Sequence, residues 1–137
     1  MKKATEKRSK PDDIIHLSFD VYVDFIFDDG LIFILIKNNS SKPVFNVSVK
    51  FSSRLTGVSG LKEITSINLF KKIEFLAPQK EIRTFLDTSE SYFKRKQPTK
   101  ITTYIFYKDI QNKDHDIVIK HNLEIYKDIG YIVKKNK

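Results

Sequence analysis

The chain has no cysteine, which removes disulfides, thiol nucleophiles, redox motifs and cysteine-ligated zinc or iron–sulfur sites in one step. It also has no tryptophan, so sugar recognition on an exposed stacking platform loses its usual side chain. Only four glycines occur, two of them inside "RLTGVSGLKEITSINLF". No Gly-rich phosphate loop, nucleophile elbow or His-Glu zinc motif is present. Long hydrophobic runs are missing as well. The longest is "LIFILI", Leu31 to Ile36, far short of the roughly 20 residues of a bilayer-spanning helix. The opening "MKKATEKRSKPDD" has the basic start of a targeting segment but not the apolar region of about 7 to 15 residues that should follow. These absences predict a soluble chain in the cytoplasm, or a membrane-associated or exported one if an anchor lies upstream. They predict no enzyme, no cofactor and no metal.

What is present is enough for one core. Single domains run to about 100 to 150 residues, and this chain has 137, of which 40% are apolar and 12% aromatic, with eleven Phe and six Tyr. The net charge of +8 raises the question of nucleic acid, and its distribution matters more than its total. Residues 1–10 carry a net +4 and "KKNK" at 134–137 a net +3, leaving +1 for everything between. The expected organisation is a disordered basic tail over 1–12, a domain over 13–133 and a second basic tail over 134–137.

Period-two alternation, which sends successive side chains to opposite faces of a strand, dominates from Ile14 onward. In "HLSFDVYVDFIFDDG" it places Leu17, Phe19, Val21, Val23, Phe25 and Phe27 on one face, and Asp-Gly then supplies a hairpin turn. "LIFILIKN" is apolar on both faces, the pattern of a central strand. In "VFNVSVKFSS", Phe45, Val47, Val49 and Phe51 form the next apolar set. No single period fits residues 54–70, where a loop with a short strand or one helical turn is expected. "KIEFLAPQKEIRTFLD" reads as two strands parted at a proline, which cannot donate to a ladder. "TSESYFKRKQP" reads as a surface loop. "TKITTYIFYKD" and "HDIVIKHNLEIYKD" form a closing hairpin, with Ile117, Ile119, His121, Leu123 and Ile125 on one face. Seven to eight strands without a long amphipathic helix predict an all-β antiparallel sandwich.

Between two of these strands lies "IKNNSSKPVFNV". Asn38, Asn39, Ser40 and Ser41 favour turns through local side-chain hydrogen bonds, and Pro43 holds Lys42 extended, so a bend accounts for the stretch. An apolar strand ending in Asn with a small residue, followed by "PVFNV", then "IEFLAPQKE" and "TTYIFYKDIQNKDHDIVIKHNLEI", resembles the immunoglobulin-like modules of bacteria and archaea related to the CARDB and fibronectin type III groups. The resemblance covers roughly residues 14–126. It departs from their pattern at Ser40, where such modules often have Gly, and at Phe45, where a smaller residue is common. It implies an immunoglobulin-like sandwich with an adhesive, scaffolding or accessory role.

Three sets of residues carry candidate chemistry. Asp20, Asp24, Asp28 and Asp29 lie along or just beyond one strand, but four residues of strand separate Asp20 from Asp24 by about 13 Å, too far for one calcium ion without further ligands. Asp114 to Asp116 with His16 and His121 are the only histidine material, and a histidine on an apolar strand face is more often packed than ligating. "SYFKRKQPTK" interleaves Tyr92 and Phe93 with Lys94, Arg95 and Lys96, which single-stranded nucleic acid or an acidic partner would use. The predicted function is therefore a non-enzymatic protein-interaction or structural module that binds through a strand edge or through residues Tyr92, Phe93, Lys94, Arg95 and Lys96. Edge pairing also admits an oligomer. The alternative is a nucleic-acid-associated protein using the basic tails and the same loop. The tails also offer attraction to an anionic membrane surface.

Overall fold

The computed structural model describes residues 19–129, so both predicted basic tails and His16 lie outside the described residues. The strands are, in chain order, β1 (Val21–Asp28), β2 (Leu31–Asn38), β3 (Val44–Phe51), β4 (Thr56–Gly57), β5 (Lys62–Glu63), β6 (Ile73–Leu76), β7 (Glu81–Thr88), β8 (Lys100–Lys108) and β9 (Asp114–Asn122). Two short helices interrupt them, α1 (Asn68–Lys71) and α2 (Ser89–Lys94). The protein is thus predominantly β, and every strand pairing is antiparallel.

One sheet has the order β1-β2-β7 and a second β6-β3-β8-β9, with β4 and β5 forming a small hairpin apart. Both larger sheets feed one core. Val21, Val23 and Phe25 of β1, Ile32, Ile34 and Ile36 of β2, Val44, Val47 and Val49 of β3, and Ile101 and Ile105 of β8 are all buried within it. The doubly apolar β2 lies between β1 and β7, and Leu35 on its other face is buried too. Asp29 and Gly30 both take positive φ at the β1–β2 turn, the backbone that a two-residue hairpin requires.

Three expectations are corrected. β1 begins at Val21, and Phe19, assigned to its core face, is exposed. Phe45 does not share a face with Val47 and Val49: Asn46 takes φ 53° and the β3–β8 register shifts between Phe45 and Ser48. A left-handed residue of this kind inserts one extra position and turns its neighbour over, so Val44 is buried and Phe45 packs instead on Phe75, ring centroids 5.7 Å apart. Ile125 leaves the apolar face of β9 because the chain turns into a 3₁₀ helix at Leu123, and its side chain is exposed.

The bend after β2 is held from inside. Asn38 is fully buried; its amide donates to the carbonyls of Lys42, Leu76 and Ala77, while its Oδ1 accepts from the N–H and hydroxyl of Ser40. One side chain therefore satisfies backbone groups of two loops. The irregular stretch over 54–70 folds as the β4–β5 hairpin, a 3₁₀ turn and α1.

Candidate functional site

Residues 88–98 form a corner rather than an open loop. Thr88 caps α2, its hydroxyl accepting from the Ser91 N–H at 3.1 Å, and this satisfies one of the donors that a helix start leaves free. Tyr92 then points inward. Its ring is fully buried in the core and its hydroxyl donates to the Pro98 carbonyl. Burial pushes that hydroxyl's pKa upward, since the charged form would lose its hydration.

Arg95 is engaged on every side. Its guanidinium forms an ion pair with the carboxylate of Asp87 and donates to the Thr56 hydroxyl and carbonyl, while Nε donates to Ser91 Oγ. Asp87 is itself buried and also accepts from the N–H groups of Ser59 and Thr88. The network ties β4, β7 and α2 together. At the same place Gly57 approaches β7 so closely that a Cβ built on it would lie 1.8 Å from the Leu86 carbonyl oxygen.

Of the five residues assigned to a binding loop, the structure therefore leaves two cations in solvent. Lys94 and Lys96 are exposed, and Phe93 is half-buried with the Lys127 ammonium 5.7 Å from its ring centroid. Tyr92 offers no ring for a base to stack on, which corrects its assignment to a contact surface; Arg95 has its donors committed within the fold.

The histidines and carboxylates do not converge either. His115 stacks on Tyr107 at 4.9 Å and its Nε2 lies 2.7 Å from Asp109. Asp109 also accepts from the N–H groups of Gln111 and Lys113 in the β8–β9 turn. These hydrogen bonds, led by that from His115, bring its carboxyl down to about 2. His121 sits six residues along β9, against the Phe25 ring and the Thr103 hydroxyl. Among the described residues, no group of three His, Asp or Glu side chains could hold a metal ion. A polar cleft of about 360 Å³ lies between the β2–β3 bend and the β8–β9 turn, lined by Asp20, Ser40, Lys42, Tyr107, Asp109 and His115 among others.

A different surface is exposed among the described residues. The outward face of the four-stranded sheet carries Phe75 (57% exposed), Tyr104 (37%), Phe106 (38%) and Val118 (53%), with Phe45 packed beside Phe75. Register places Val118 directly opposite Tyr104 and Ser48 opposite Phe106, so these apolar groups occupy neighbouring strands. Exposed aromatic groups gathered on one sheet face are a feature of interaction surfaces. The signal was present in "TYIFY", which is apolar on both faces like "LIFILI" but is not buried on both.

The chain matches, over residues 1–127, the model of a domain of unknown function, DUF8453. It belongs to that family. No curated protein and no solved structure matches it. Among the described residues, no helix is long and apolar enough to cross a membrane.

Proposed function

We propose that this chain is a non-enzymatic protein-interaction module built as an immunoglobulin-like sandwich, with the outward face of β6-β3-β8-β9 and the neighbouring strand edge as its contact surface. The strand order supports that architecture. The chain changes sheet between β2 and β3, between β6 and β7, and between β7 and β8, and Greek-key sandwiches divide their strands in this manner. The single observation that carries the functional reading is the solvent-facing aromatic set Phe75, Tyr104 and Phe106. Aromatic side chains are enriched where interfaces form, and they dominate the energy of those interfaces.

The test is capture from source-cell lysate with the full chain and with a Tyr104→Lys/Phe106→Lys variant, nuclease-treated in parallel. A discrete protein retained by the wild type after nuclease and lost by the variant is the expected result. Equal recovery by both chains overturns the assignment of the surface.

A second reading, association with nucleic acid, draws support from the net +4 of residues 1–10, the net +3 of residues 134–137 and the exposed Lys94 and Lys96. It predicts recovery of nucleic acid that falls steeply with salt, because each phosphate contact releases counterions. The burial of Tyr92 removes the stacking ring on which that reading relied.

A further inference from the structure

Among the described residues the two larger sheets present four edges, and three of them are closed. β7 is irregular beside β2, where the register shifts, and the Leu86 carbonyl on it accepts from the Val58 N–H. On β1 the Phe25 carbonyl accepts from the Tyr126 hydroxyl and the Phe25 N–H donates to Asp24. β6 is four residues long and runs into the Ala77–Pro78 turn. Bulges, covering groups, shortness, proline and edge charges are the means by which proteins protect sheet edges from pairing. Among the described residues β9 has only the last of these, Asp114, Asp116 and Lys120. It is nine residues long, holds an unbroken register against β8, and none of its residues is buried.

The direction of its free backbone groups follows from the ladder. Thr102 exchanges hydrogen bonds with Ser52 on the β3 side, so Thr103 turns its N–H and C=O toward β9 and bonds to Ile119, its register partner. The odd-numbered residues of β9 accordingly face β8, in agreement with the Leu123 N–H bonding to the Thr99 carbonyl just beyond it. Asp116, Val118 and Lys120 direct their N–H and C=O groups to the side away from β8. Their side chains lie on the outward face with Tyr104 and Phe106.

The residues along this edge complement themselves. In "HDIVIKH", His115 to His121, a two-fold axis at Val118 sets Val118 against Val118, Ile117 against Ile119, and Asp116 against Lys120 twice. Neither Asp116 nor Lys120 has an ion-pair partner among the described residues, whereas Asp114 is already paired with Lys108. Charge thus selects the Val118 register over one shifted to Ile117, which would oppose Asp116 to Val118 and need Asp114 to leave Lys108. Resting on the interaction reading above and naming its partner, we propose that the β9 edge binds a second copy of this chain, antiparallel about Val118, joining the two outward aromatic faces into one continuous sheet.

The full chain then sediments at twice its 16.1 kDa mass. Asp116→Lys and Lys120→Asp, each setting like charges opposite one another at both pairs, weaken self-association by roughly tenfold or more. Mixing the two variants restores the dimer, because the heterodimer again opposes unlike charges at both positions. Both side chains are exposed and far-UV circular dichroism verifies that each variant is folded. In this cysteine-free chain, Val118→Cys cross-links readily on oxidation, since directly opposed residues lie about 5.5 Å apart, within disulfide range. Asp116→Cys does not, its symmetry mate being about 13 Å away along the strands. A wild type that stays monomeric, charge variants that associate as the wild type does, or Asp116→Cys cross-linking as fast as Val118→Cys overturns the proposal. A monomer that still retains a protein dependent on Tyr104 and Phe106 overturns the dimer alone and leaves the interaction reading standing.

Discussion

The α2 corner and the outward face of β8 and β9 hold similar residues, aromatics beside cations, and the fold uses them in opposite ways. At the corner, Tyr92 is buried and Arg95 is spent on Asp87, Thr56 and Ser91. On the sheet face, Tyr104 and Phe106 stay in water, with Lys120 close by on β9 and no ion-pair partner among the described residues. Residue type therefore does not distinguish an anchor from a contact. What distinguishes them is whether the polar partner of each group is supplied from within the chain. A guanidinium with four internal acceptors has little left to offer a ligand, while an aromatic ring at a sheet surface with no described element over it keeps its apolar area available.

The contrast can be broken at its strongest point. Arg95→Ala leaves the buried Asp87 carboxylate without its ion pair, and removing one partner of a buried pair costs about 3 kcal/mol or more. Urea unfolding should show that loss, whereas substitution of Phe106 should change stability by no more than about 0.5 kcal/mol, as is usual for surface positions. Equal destabilisation at the two sites would erase the distinction. A smaller effect is expected at Gly57→Ala, where the added methyl meets the Leu86 carbonyl oxygen. Overpacking of this kind costs about 1–3 kcal/mol, and a shift of the thermal midpoint measures it. An unchanged midpoint would show that the β4–β5 hairpin is not pressed against β7.

The smallest effect concerns the side of β9 that faces inward. Burial holds the imidazole of His121 below its usual range, opposed by the charge of Asp24. The sign follows: the unfolded chain, with an ordinary pKa near 6.5, takes up a proton more readily than the native state. His121 therefore contributes stability that is present above about pH 6.5 and declines as the pH falls toward its lower native value. Replacing it by Gln should flatten the dependence of unfolding free energy on pH across that window. Proton NMR titration of the wild-type ring should give a midpoint below that of a model peptide; a midpoint equal to it would place His121 in solvent, and one above it would show that the Asp24 charge outweighs burial.

Much of the fold was legible along the chain. The alternation of β1, the doubly apolar β2, the proline between β6 and β7 and the final hairpin all produce their elements because inward-facing positions must be apolar at every second residue. Phe45 was not legible, because a single left-handed residue, Asn46, reverses the alternation locally without changing composition. The site was harder still. "SYFKRK" looks like a contact loop until a capped turn of helix directs Tyr92 inward and brings Arg95 to an aspartate eight residues earlier. "TYIFY" looks like a buried strand until β8 is seen to lie between β3 and β9 with nothing described over its outer face.

The sequence by itself determined that the chain is β-rich and antiparallel, that no cysteine chemistry is available, and that nearly all of its net positive charge lies at the ends. These follow from composition and from a period-two pattern, which act locally. Tertiary structure alone decided which aromatics are anchors, which cations are already paired and which strands end up at the edges of the described sheets. Those outcomes depend on contacts between residues far apart in the chain, such as Arg95 with Thr56 or Tyr126 with Phe25, and no local pattern encodes them.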